Sequence, residues 1–361
     1  MEVENLNRLT SFDENEAKID EKTMRIISSH SLKVSSENGY RFVSDSLGFS
    51  LFDESDLQPI KQFGYVFHGS LKLESPTEIL RKLIPLEKYC YAIDSNISIT
   101  CKENVYDVDL FEALFFPLKL SPRTAIHLNN MYPMSPKTIK SMWCRLVAYY
   151  FELIAGIPEL RLLGEADKLK LIVSQLCNVI CFHIVYMNSK DSKEFTENVC
   201  LQFGFGYYWS PNCTDDTLVN FYCENIWMAI NSHVIPILKH IKITFEEYLL
   251  AKMVVLFKCS EISRISPEGL EYIRSVENKY RIMLATHIQS KYFEDESLSG
   301  EEKTEKSTER LQAIMRIITG VDIIGELDDK SLTSMVEINH GAMRGTLQRQ
   351  IHSSLKKRNH N

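Results

Sequence analysis

The side chains able to do chemistry are numerous but do not gather into a catalytic signature. There is no Gly-x-Ser-x-Gly nucleophile elbow and no His-Glu-x-x-His metal helix. The acidic pairs Asp215-Asp216 and Asp328-Asp329 lack the second acidic cluster that a metal-dependent helical lyase needs. Ten histidines, among them His30, His68, His127, His183 and His233, show no ligand spacing, and His183 sits in an apolar run that suits a satisfied core residue. Nine cysteines are scattered without a Cys-x-x-Cys. Cys177 and Cys181 stand one helical turn apart among apolar neighbours, as buried thiols do, so no metal centre and no cofactor is expected. Gly204-x-Gly206 lacks the third glycine and the Lys-Thr of a phosphate loop. An enzyme is therefore the least supported class.

The totals narrow the remaining classes. The chain has 361 residues, 44% hydrophobic and 25% charged, with a net charge of -7. That charge offers no general hold on nucleic acid, whose phosphates call for clustered Lys and Arg. The one basic run, Lys356-Lys357-Arg358, reads as a solvated tail. Met1-Glu2-Val3-Glu4-Asn5 has no apolar signal core, and no run of 18 wholly apolar residues occurs, so a soluble intracellular protein in a reducing compartment is expected.

The elements that must position these residues come in two stretches. Residues 1–40 are polar, with a weak amphipathic stretch at Ile19–Ile27; residues 41–105 mix short alternating runs with a helix near Pro76–Leu86, capped by Ser75. From about Val108 the pattern is helical. Ser135-Pro136 opens a helix through Trp143, Val147 and Phe151 that must end before Pro158. After a short turn over Leu160–Leu163, the run Ala166–Tyr186 is apolar nearly all round, as in the centre of a layered bundle. Leu201–Trp209, aromatics interleaved with glycines, suits a hairpin. Helices are expected over Leu218–Ile241, from the Thr244 capping box to Cys259, and from Ser266 to Tyr292. Glu294–Lys306 is expected as a charged loop, with Thr308–Ile324 and Asp328–Ile351 as two closing helices.

Leu153-Ile154-Ala155-Gly156-Ile157-Pro158-Glu159-Leu160-Arg161-Leu162-Leu163, followed by Asp167-Lys168-Leu169-Lys170-Leu171, resembles the junction of the third and fourth helices of nuclear-receptor ligand-binding domains. Trp143-Cys144-Arg145, Glu112-Ala113-Leu114 and Ser121-Pro122-Arg123-Thr124 are most similar to the expanded nematode receptors. Gly204–Trp209 resembles the family's short β-turn, and Phe245–Lys252 its eighth helix. The resemblance implies an all-α fold, a three-layer antiparallel helical sandwich with a short β-hairpin, over residues 108–352. An N-terminal segment, 1–107, precedes it, and a basic tail, 353–361, follows. The fold signature is Pro158, Leu160, Leu163, Asp167, Lys168 and Leu171, with roles that are structural.

The departures matter as much. Residues 1–107 hold two cysteines, Cys90 and Cys101, too few for the family's paired zinc fingers, so direct sequence-specific DNA binding is not expected. The lysine that clamps one end of a co-regulator helix aligns with Ala155, and the second basic position with Val173. No apolar-apolar-x-Glu-apolar-apolar activation helix is evident; the nearest stretch is Met335-Val336-Glu337-Ile338. A pocket for a small lipophilic ligand would be lined by Cys144, Val147, Ala148, Phe151, Gln175, Val179 and Phe203, unless these side chains simply fill the core. Leu311, Ile314, Met315 and Ile318 form a candidate dimerisation face toward a receptor partner. The resemblance implies a nuclear transcription regulator, also possible in the cytoplasm, working through ligand, dimer partner and co-regulators without a membrane; a ligand-independent interaction module is the alternative.

Overall fold

The computed structural model describes residues 75–91, 107–124, 130–190, 197–258, 265–294 and 296–356. Readings placed on residues 1–74, the alternating run at 97–100, and the basic residues Lys357 and Arg358 lie outside these ranges.

The described residues form eleven α-helices and a small sheet. They are α1 (Pro76–Cys90), α2 (Leu110–Phe115), α3 (Pro117–Leu120), α4 (Ile139–Ala155), α5 (Glu165–Lys190), α6 (Thr217–His233), α7 (Ile235–Ile241), α8 (Phe245–Leu256), α9 (Pro267–Phe293), α10 (Gly300–Ile338) and α11 (Thr346–Lys356). The strands are β1 (Tyr132–Pro133), β2 (Leu201–Gly204) and β3 (Tyr207–Trp209), in the order β1-β3-β2. Helix α5 runs through the middle, packed by α4, α8 and α10; α9 lies against α8 and α10. This is the expected helical sandwich with its hairpin. By length and composition α5 could cross a membrane, but 83% of its most apolar window is buried inside the fold, where the sandwich covers it.

Local chemistry explains the element starts. Ser75 and Glu78 close a capping box on α1, with Pro76 in the first turn. Thr244 and Glu247 do the same for α8. Gly204 (φ 86°) and Gly206 (φ 85°) flank Phe205 in the turn between β2 and β3, where left-handed backbone favours glycine. Helix α1, placed by sequence in the N-terminal segment, shares one apolar core with the rest through Leu80, Leu83 and Leu86.

Four elements differ from expectation. Helix α4 begins at Ile139, because Ser135–Thr138 form a turn in which Ser135 N donates to Thr138 Oγ1 at 2.9 Å. Leu218–Ile241 is two helices broken at Val234, just ahead of Pro236, a residue that suits the first turn of a new helix. The charged loop is shorter than expected: Ser299 and Glu302 form a capping box that starts α10 at Gly300. The two closing helices are one through residue 338. Gly325 does not stop it because Asn178 of α5 packs into the space a Cβ would take. The chain breaks instead at Asn339, in the left-handed region.

Candidate functional site

The junction between α4 and α5 is a 3-10 turn, Pro158–Leu162. Gly156 lets it close, since a Cβ there would fall on the Leu86 side chain of α1. Leu160, Leu163 and Leu171 are buried, while Lys168 stays half-buried and pairs with Glu165 at 2.6 Å. Asp167 lies in the first turn of α5, and its hydrogen bonds reach outside that helix. It accepts from Ser266 N at 3.1 Å and from Ser266 Oγ at 2.5 Å, fixing the start of α9 to the start of α5. Gly269 is needed there because a Cβ would meet that carboxylate. Glu159, buried in the turn, accepts from Lys279 Nζ at 3.0 Å and Tyr280 Oη at 2.9 Å, and its carbonyl accepts from Tyr272 Oη. Glu159 of the turn and Asp167 of α5 therefore both tie the junction to α9.

The seven candidate pocket residues are all buried, but their contacts point in three directions. Cys144 receives Gln348 Nε2 of α11 at 3.9 Å, and burial pushes its thiol up to about 12, so it is inert. Gln175 donates to the carbonyl of Lys258 at 2.5 Å and accepts from Asn178 at 2.9 Å. Phe203 stacks on Tyr222 of α6, with ring centres 6.2 Å apart. Val147, Ala148, Phe151 and Val179 are fully enclosed. A cleft of about 380 Å³ lies elsewhere, between Leu163, Asp167, Gly269 and Tyr272, and includes none of the seven.

The four residues of the candidate dimerisation face differ in burial. Ile314 and Ile318 are 0% and 1% exposed, enclosed by the chain's own core, and only Leu311 and Met315 keep half-buried positions. Their spacing is that of an inward face of α10. Met335–Ile338 is the last turn of α10 rather than a separate helix, and the terminal helix α11 carries no acid.

A polar cluster that sequence reasoning missed lies inside the sandwich. Lys252 of α8 and Glu87 of α1, both fully buried, pair at 2.6 Å. Lys252 also donates to Tyr149 Oη at 2.6 Å, and Tyr149 donates to Glu87 at 2.8 Å. Tyr91 donates to the same carboxylate, and Tyr248 does so at 3.4 Å. His183 joins through Nδ1, 3.2 Å from Tyr248 Oη, so it is a core residue, but its Nε2 has no partner among the described residues. Burial lowers the pKa of Lys252 and, with the Lys252 charge beside it, holds His183 neutral. Arg145 caps the end of α1 by donating to the Cys90 carbonyl at 3.0 Å and lies 3.9 Å over the Phe205 ring. The cluster can orient and hold four elements; it offers no exposed nucleophile.

A second group joins the C-terminal helix to the body. Trp143 Nε1 of α4 donates to His352 Nε2 at 3.1 Å, and His352 Nδ1 lies 2.8 Å from Asp329 Oδ1 of α10. Beside them Asp328 accepts from Tyr222 Oη at 2.8 Å, and burial pushes its carboxyl up to about 6.

Residues 127–326 match the family described as the ligand-binding domain of nuclear hormone receptor, which is more than half of the chain. The chain belongs to this family. It is also 24% identical over 269 residues to the Caenorhabditis elegans protein "Nuclear hormone receptor family member nhr-100", an alignment covering 69% of this chain. The chain spans about half of that relative, 55% of its length. In this ligand-binding domain, then, the α4–turn–α5 unit is the family junction, and Asp167 and Glu159 are what hold it to α9.

Proposed function

We propose that this chain is a nuclear-receptor-like transcription regulator that acts through its ligand-binding domain, taking a small lipophilic ligand, partner proteins or both, and resides in the nucleus. The reading is non-enzymatic and does not call on direct DNA contact by these residues. The observation that carries it is that the stretch resembling the family junction folds as a buried turn between α4 and α5, with Leu160, Leu163 and Leu171 in the core and Asp167 tied to Ser266. Co-regulator binding by the usual pair of end charges is not supported, since Ala155 and Val173 are uncharged and α11 has no acid.

Whether a ligand enters is tested by native mass spectrometry of the full chain purified without detergent. A stoichiometric mass excess that organic extraction identifies as a lipophilic molecule is the expected result; unliganded protein that fails to bind a lipophile library would remove the ligand from the reading.

One observation favours a ligand-independent interaction module: Gln175 and Cys144 already spend their polar atoms on Lys258 and Gln348. In that case a pull-down with a finger-bearing receptor should succeed with protein carrying no ligand. Leu311→Asp should weaken the pull-down if the partner sits on the first half of α10, whereas binding that is unchanged would place the partner elsewhere.

A further inference from the structure

Among the described residues, one set of three side chains has metal-type donor atoms all within 4.8 Å of one another: Cys177 of α5, Asp329 of α10 and His352 of α11. We propose that these three residues bind one zinc-class divalent ion, which pins the C-terminal helix to the body of the domain. The inference is independent of whether a lipophilic ligand binds.

The donor set is the first support. A thiolate, an imidazole and a carboxylate together select a borderline-soft tetrahedral ion over magnesium or calcium, which prefer oxygen alone. Geometry is the second. Around zinc, donors at roughly 2.0–2.3 Å from the ion stand about 3–4 Å from one another. Here His352 Nδ1 and Asp329 Oδ1 are 2.8 Å apart, and Cys177 Sγ is 4.0 Å from the same oxygen. All three donor atoms lie within 4.8 Å of one another, so a small adjustment of the side chains would seat one ion between them. The third support is burial. Cys177 and His352 are enclosed, while the half-buried Asp329, its side chain 22% exposed, leaves a side from which a water can serve as the fourth ligand of a tetrahedral ion.

Loading has a definite proton balance. Cys177, kept protonated by burial and by the neighbouring Asp328 and Asp329, loses its thiol proton to solvent as the Sγ–metal bond forms. The neutral imidazole moves its proton from Nδ1 to Nε2, freeing Nδ1 for the ion. In the metal-free form Nε2 accepts from Trp143. In the loaded form two N–H groups face each other, so the Trp143 indole must turn away. Trp143 is thus a competitor of the metal.

The test uses the full chain, stripped of metal and titrated with Co²⁺, then with Zn²⁺. The expected result is a thiolate-to-cobalt charge-transfer band that saturates at one equivalent and is displaced by Zn²⁺. Cys177→Ser should abolish the band and Cys181→Ser should keep it. His352→Gln removes a ligand and should weaken binding by at least the roughly 10–100-fold that loss of an outer-shell partner costs. Trp143→Phe should tighten it by about tenfold, the worth of one neutral hydrogen bond. Absence of the band, a band that survives Cys177→Ser, or wild-type affinity in His352→Gln overturns the proposal. Circular dichroism checks each variant's fold, and if Cys177→Ser does not fold, His352→Gln decides.

Discussion

Replacing Lys252 by Met should be among the most costly single substitutions in the domain. Lys252 and Glu87 are both fully buried and pair at 2.6 Å, and Glu87 Oε2 has no partner among the described residues. Removing the cation leaves a buried carboxylate held by tyrosine hydroxyls alone, and breaking comparable buried pairs costs about 3–5 kcal/mol. Against a whole-domain stability of about 5–15 kcal/mol, the loss is large. The assay is urea unfolding followed by circular dichroism, comparing wild type, Lys252→Met, and the double variant Glu87→Gln/Lys252→Met. The double variant removes the stranded charge, keeps an acceptor for Tyr149 and should recover at least about half of the loss. A single variant within about 1 kcal/mol of wild type, or a double variant no better than the single, would refute the reasoning.

Two further outcomes follow from burial and close approach. Asp328 has its folded-state pKa raised by burial from 3.8 to about 6, so its favourable contribution is fully present below pH 3.8 and is lost as pH rises through about 6. Asp328→Asn should therefore flatten the stability change between about pH 4 and 6, by about 3 kcal/mol at most, and raise the urea midpoint at pH 7; an unchanged wild-type slope in the variant counts against it. Gly325→Ala would ordinarily favour a helix, but its Cβ meets Asn178, whose Cα lies 3.1 Å away, so a loss of about 1–3 kcal/mol in the same unfolding assay is expected, and a gain would show that α5 and α10 can part there.

Parts of this architecture are written in short-range chemistry and can be read from sequence. Ser75, Thr244 and Ser266 announce helix starts because a cap needs only its next three residues. Pro158 and the glycines around Phe205 mark bends for the same reason. What could not be read depends on partners far along the chain. Gly325 looks like a helix stop until Asn178 is placed against it. Asp167 looks like a cap for α5, yet its hydrogen bonds go to Ser266, 99 residues away. Leu311, Ile314, Met315 and Ile318 show a three-four spacing that is identical for a face turned to a partner and a face turned to the chain's own core, and here it is the core.

The same limit decides which polar residues carry functional weight. Glu87 and Lys252 stand 165 positions apart and each looks like a surface charge in its own helix. Cys177, Asp329 and His352 come from three helices, so no motif spacing connects them. The family junction, by contrast, is contiguous and legible, and it serves to build the fold: its acids bind α9. Signals that are easiest to find from sequence therefore identify the scaffold. Two other features, a fully buried ion pair under α1 and a hydrogen-bonded group holding an acid-free terminal helix, arise only when the scaffold brings distant residues together. Function in this domain is then best sought at α11, where Trp143, Asp329 and His352 govern how firmly the last helix is held.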